Sequence, residues 1–84
     1  MKTFDYVVKE PRVHARPAGL LVKEAGLYKS SVTISKGEKS ADAKKIFGIM
    51  GLGIKTGDTV TLTINGEDEE EGAAKLEELM KASW

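Results

Sequence analysis

The stretch Val13-His14-Ala15-Arg16-Pro17-Ala18 runs directly into Gly19-Leu20-Leu21-Val22-Lys23-Glu24-Ala25-Gly26, and the fold is read outward from this junction. Proline is well placed in a first helical turn, where its missing N–H costs nothing. From Pro17 onward Ala18, Leu21, Val22 and Ala25 repeat at i, i+3, i+4 and i+7, which predicts one apolar face of a helix ending near Gly26 and Leu27. The residues around Ala15 and Arg16 then occupy a helix N-terminus, whose free backbone donors and dipole attract anions. His14, the only histidine of the chain, stands at that end. A neutral imidazole there can attack a phosphoryl group through one ring nitrogen while the Arg16 guanidinium holds the oxygens. Taken alone, a histidine near a helix start is more often a capping or partly buried residue than a phosphoryl acceptor.

Upstream, Thr3 to Lys9 is rich in aromatic and β-branched residues and reads as a strand that stops before Pro11, leaving four residues as the approach to His14. Downstream, Ser31 to Ser35 places Val32 and Ile34 on one side, and Lys36-Gly37-Glu38 turns into a short second arm at about Lys39 to Ala41. Asp42 is placed to cap a short helix through Ile46 and Ile49, which Gly51 and Gly53 break before the turn Lys55-Thr56-Gly57-Asp58. Val60, Leu62 and Ile64 alternate with threonines in a last strand closed by Asn65-Gly66. A final helix from Asp68 to about Ala82 carries the stripe Ala73, Leu76, Leu79 and Met80. The order strand, helix, strand, strand, helix, strand, helix predicts an α+β fold. Its economical form is an open-faced sandwich, one four-stranded, mostly antiparallel sheet with three helices on one face.

Composition limits the functional classes. With 84 residues there is room for a single domain, 1–84. No cysteine is present, so neither a disulfide framework nor a thiolate zinc site holds the fold, as expected of a cytoplasmic protein. One histidine and no cysteine leave only oxygen ligands, and no metal or cofactor is expected. Thirteen basic and thirteen acidic residues cancel, which removes the global field that would draw the chain to nucleic acid or an anionic membrane. The last strand likewise offers threonines where a nucleic-acid-binding sheet would want basic and aromatic residues. No signal peptide and no apolar run near the ~20 residues of a membrane span is visible. Charge is uneven locally: Arg12, Arg16, Lys23, Lys44 and Lys45 flank the motif regions, whereas Glu67 to Glu71 crowd the start of the last helix, where they complement its dipole.

The hexapeptide around His14 resembles the active-site signature of the HPr family, the small histidine-containing phosphocarriers of the bacterial sugar phosphotransferase system. The likeness continues through Lys44-Lys45-Ile46-Phe47-Gly48-Ile49-Met50-Gly51-Leu52-Gly53 and covers essentially the full length. The resemblance implies the same βαββαβα topology and a carrier rather than an enzyme. It further implies transfer from phosphoenolpyruvate through enzyme I to the His14 ring nitrogen nearer the backbone, then onward to a histidine of a sugar-specific enzyme IIA domain. Arg16 and the backbone amides after His14 are expected to orient the phosphate without enclosing it, since a closed site would trap the group.

Two apolar features fall outside the inward stripes. Leu20 and Leu27 lie one position off the buried face of the first helix, and Phe47 with Met50 is offset from Ile46 and Ile49. The resemblance implies a docking surface for enzyme I and the enzyme IIA domains at Ala15, Arg16, Gly19, Leu20, Lys23, Ile46, Phe47, Met50 and Gly51, in a protein working as a monomer. An apolar centre with a basic rim suits transient docking on acidic partners. The chain departs from the family pattern twice. Arg12 replaces a glycine ahead of the histidine, and Lys45 stands where many members carry a regulatory serine, so the serine switch is expected to be missing. The rival reading is an HPr-fold regulatory interaction module without phosphoryl carriage. Such homologues replace the histidine, whereas His14, Arg16 and Pro17 are all present here.

Overall fold

The computed structural model describes residues 1–9 and 15–84, and for Ala15 and Arg16 it describes the backbone alone. The elements run β1 (Lys2–Val7), α1 (Ala15–Ala25), β2 (Ser31–Lys36), β3 (Lys39–Asp42), α2 (Ile46–Met50), β4 (Thr59–Asn65) and α3 (Glu69–Ser83). The strands form one sheet in the order β1-β4-β2-β3, and all three pairings are antiparallel. The βαββαβα open-faced sandwich read from the sequence is the fold observed, and the strand order, which no periodicity could supply, is added to it.

Alternation decides the faces. Val32 and Ile34 of β2 and Val60, Leu62 and Ile64 of β4 are buried, while Thr33, Thr61 and Thr63 between them keep partial access to water. Register explains why the inward set meets: Val32 pairs with Ile64, Ile34 with Leu62, and Tyr6 with Val60. Ala18, Leu21 and Ala25 of α1 and Leu76 and Met80 of α3 join the same cluster, with Val22, Ala73 and Leu79 packed at its margin. Deeply buried aliphatic side chains of this kind contribute about 1.5–3 kcal/mol each relative to exposure. The packing follows the sheet order, since α3 lies against β1 and β4, α2 against β3, and α1 against both other helices.

Boundaries move where hydrogen bonds outcompete propensity. The first strand ends at Val7 instead of Lys9, because Val8 exchanges bonds with the 55–58 turn: its N–H donates to the Asp58 carbonyl and its own carbonyl accepts from Gly57, both at 2.9 Å. Asp42 does not cap the short helix. It belongs to β3, its Oδ1 accepts the Lys44 N–H at 2.9 Å and its carbonyl accepts the Lys45 N–H at 3.0 Å. The position before α2 is therefore Lys45, whose extended backbone carries no side-chain cap. Of the two glycines expected to break this helix, Gly51 keeps a helical φ of −66° and Gly53, at +63°, makes the left-handed turn.

The acidic run before α3 does more than complement a dipole. Both Asp68 carboxylate oxygens accept backbone bonds, from Lys29 and Ser30 at 2.9 Å each, and the Ser30 hydroxyl also donates to Asp68. These bonds, the Ser30 hydroxyl foremost, pull the Asp68 pKa down to about 2. The N-terminal ammonium and the Gly66 N–H hold Glu69 below its ordinary value as well. The two segments meet so closely that a Cβ on Gly66 would lie 2.5 Å from the Ser30 Cα. Burial, followed by the Glu24 carboxylate that accepts its hydroxyl at 2.7 Å, pushes the Tyr28 phenol up to about 12.

Candidate functional site

The first helix begins at Ala15, the residue after the histidine, and Pro17 falls in its first turn, as proline's fixed φ and missing donor favour. No acidic residue occupies that turn, and Lys23 sits in the last. His14 and Arg12 lie outside the described residues, as does the approach segment from Glu10 to Val13. What the structure describes is the frame on either side of them. Trp84, which follows α3 and is 2% exposed, donates its indole N–H to the Pro17 carbonyl at 3.1 Å. Its backbone oxygen accepts the Lys9 N–H at 2.6 Å. Nothing in the local sequence pattern around Trp84 signals this role, because both partners are remote in the chain.

The second half of the candidate site is the surface shared by α1 and α2. The two helices pack against each other, and a Cβ on Gly19 would stand 3.9 Å from the Ile46 Cδ1, an ordinary van der Waals contact, so Gly19 and Ile46 face each other at that point. Ile46 is half-buried and Ile49 fully buried, which turns the opposite side of this five-residue helix outward. Phe47 is accordingly 85% exposed, Met50 44% and Leu20, on the adjoining helix, 42%. The sequence-predicted docking residues Gly19, Leu20, Ile46, Phe47 and Met50 are thus carried by two packed helices, with Gly51 as the helix C-cap and Lys23 exposed on α1. Leu27, at 71%, is exposed just beyond α1. Exposed apolar side chains in such number on one pair of elements are unusual for a small domain and suit a partner-binding surface.

Cations around this surface divide into two kinds. Lys45 is exposed next to the start of α2. Lys44, grouped with it by sequence, is a structural residue instead: its Nζ donates to the Tyr28 carbonyl at 2.9 Å, which ties the β3–α2 connection to the segment after α1. A cleft of about 920 Å³ opens between β3 and α2, lined by Lys39 to Asp42 on one side and by Lys45 to Gly48, Gly51 and Leu52 on the other. It includes three of the predicted docking residues, Ile46, Phe47 and Gly51. The β3 wall was not legible in the sequence, because β3 and α2 meet only through tertiary packing. Among the described residues no group of three or more histidine, cysteine, aspartate or glutamate side chains could hold a metal ion. Among the same residues no helix is long and apolar enough to cross a membrane.

Comparison with known proteins agrees with this architecture. The family described as "PTS HPr component phosphorylation site" matches residues 3–82. The chain is 41% identical over 81 residues to the phosphocarrier protein HPr of Lysinibacillus sphaericus, covering 95% of this chain and 92% of that relative. It is 47% identical over 64 residues to the HPr-like protein Crh of Bacillus subtilis, covering 76% of this chain and 75% of Crh. The solved histidine-containing phosphocarrier protein of Mycoplasma superposes with a TM-score of 0.93 at 32% identity, over 96% of this chain and 93% of that one. Fold, full-length similarity and the family match converge, and the chain belongs to the HPr family of phosphocarrier proteins of the phosphotransferase system.

Proposed function

We propose that this protein, a single domain over residues 1–84 working as a monomer in the cytoplasm, carries a phosphoryl group on His14. It accepts the group from enzyme I, with phosphoenolpyruvate as the original donor, and passes it to sugar-specific enzyme IIA domains. The observation that carries this reading is the start of α1 one residue after the histidine, inside the family match that spans both. The N–H groups of that first turn, which have no partner within the helix, lie next in sequence to His14, where they favour the phosphate. As the bond from the imidazole nitrogen to phosphorus forms, the bond from phosphorus to the donor breaks. On delivery the same exchange runs with a histidine of the acceptor. Arg16 neutralises part of the charge on the transferring group, and an open site lets it leave again.

Docking is assigned to Ala15, Arg16, Gly19, Leu20, Lys23, Ile46, Phe47, Met50 and Gly51. One surface then serves the upstream and downstream partners in turn, which requires brief complexes and suits a small apolar centre with cations at its edge. A second reading, a regulatory module of the same fold without phosphoryl carriage, takes its support from the likeness to Crh. His14, Arg16 and Pro17 together favour the carrier. A reconstituted relay separates the two: with phosphoenolpyruvate, enzyme I and an enzyme IIA domain present, labelled phosphate is expected on IIA only when this chain is added. Labelling of IIA that is indifferent to the chain would refute carriage.

A further inference from the structure

Residue Trp84 is bonded to both flanks of the segment that carries His14. On the upstream side its backbone oxygen accepts the Lys9 N–H, and on the downstream side its indole N–H donates to the Pro17 carbonyl. The residue is itself fixed, since its N–H donates to the Met80 carbonyl at 2.9 Å and it is 2% exposed within the core cluster. The indole bond to Pro17 is buried, and a hydrogen bond in such a low-dielectric setting is electrostatically stronger than one in water. Met80, fully buried on α3, anchors the arrangement to the sheet-facing side of the molecule.

We propose that Trp84 is a positioning residue for phosphoryl transfer, setting the placement of Lys9 relative to Pro17 and so of the two ends between which His14 is held. The proposal rests on His14 being the phosphoryl acceptor. Group transfer between two proteins depends on placing the attacking nitrogen in line with the phosphorus, and a misplacement of about 1 Å can cost up to about a hundredfold in rate. The docking residues on α1 and α2 are separate from these bonds, so losing them should slow the chemical step more than it weakens encounter.

The test uses Trp84→Phe, which keeps an aromatic ring for packing and removes the indole donor. In enzyme I-dependent phosphorylation, kcat is expected to fall about tenfold while KM stays within about twofold, in a protein whose cooperative melting shows it folded. A folded variant with wild-type kcat would overturn the proposal. Should the variant not fold, the wild-type protein decides: Trp84 is the only tryptophan, so its indole N–H gives one NMR signal, expected to shift when His14 is phosphorylated. An unmoved signal would overturn the proposal. Wild-type protein that takes no phosphate on His14 would refute the acceptor assignment itself, whereas wild-type protein that is phosphorylated beside an unimpaired Trp84→Phe refutes the positioning role alone.

Discussion

Replacing Phe47 by alanine separates a docking anchor from a core residue. A phenylalanine ring offers about 200 Å² of surface, and Phe47 is 85% exposed, so about 170 Å² faces solvent and about 30 Å² is covered. At about 25 cal/mol per Å², losing the covered part costs under ~1 kcal/mol, and the better helix propensity of alanine offsets about half of that. Truncation to alanine removes about 100 Å² of the exposed apolar area, worth up to ~2.5 kcal/mol if a partner buries it, within the range of about 1–3 kcal/mol for an interface anchor. The expected result is a melting temperature within about 3 °C of wild type and a Kd for enzyme I raised about 5- to 100-fold. Calorimetric titration beside thermal melting measures both quantities on one preparation. A drop of more than about 8 °C with unchanged affinity in the folded fraction would refute the reasoning, because it would mean that the ring stabilises the fold and not the complex.

Arg16→Ala is expected to slow phosphoryl transfer without lowering the melting temperature, since a guanidinium that meets the phosphate adds little to the core; stopped-flow transfer at the normal rate would contradict this. Gly66→Ala forces a Cβ to 2.5 Å from the Ser30 Cα, an overpacking of two backbones that should cost at least about 2 kcal/mol and lower the melting midpoint by roughly 8–16 °C, readable by circular dichroism. Asp68 titrates near 2 in the folded chain against about 3.9 when unfolded. Its contribution is therefore complete above pH 4 and is lost as the pH falls from about 4 to about 2, so Asp68→Asn should flatten the wild-type decline in stability across that window. A parallel decline in both proteins would show that the Ser30 and Lys29 bonds do not supply it.

The elements legible in the sequence were those whose pattern is local. The 3.6-residue repeat of Ala18, Leu21, Val22 and Ala25 and the two-residue repeat of Val60, Leu62 and Ile64 each report a buried face directly. The outward set on α2 was legible for the same reason, as Phe47 and Met50 fall off the line of Ile49. What local pattern could not disclose are bonds between remote segments. Asp42 looks like a helix cap by type, yet its carboxylate is taken by Lys44 inside a strand end. Lys44 looks like a free cation until the Tyr28 carbonyl is beside it. Asp68 looks like one more first-turn carboxylate, although it fastens Lys29 and Ser30 to the start of α3. Trp84, which closes the frame around the His14 segment, shows no periodic relation to Lys9 or Pro17. In each case the chemistry of the residue was readable and its partner was not.

The most direct measurement is the site and chemistry of the phosphate. Incubation with enzyme I and phosphoenolpyruvate should add one phosphoryl group, stable in base and lost in mild acid, as expected for a phosphorus–nitrogen bond, and mapping should place it on His14. The His14→Ala protein, with the same cooperative melt, should take none. Phosphate retained by that variant, or a wild-type chain that stays unlabelled in a relay that labels another HPr, would contradict the assignment of this protein as a phosphohistidine carrier.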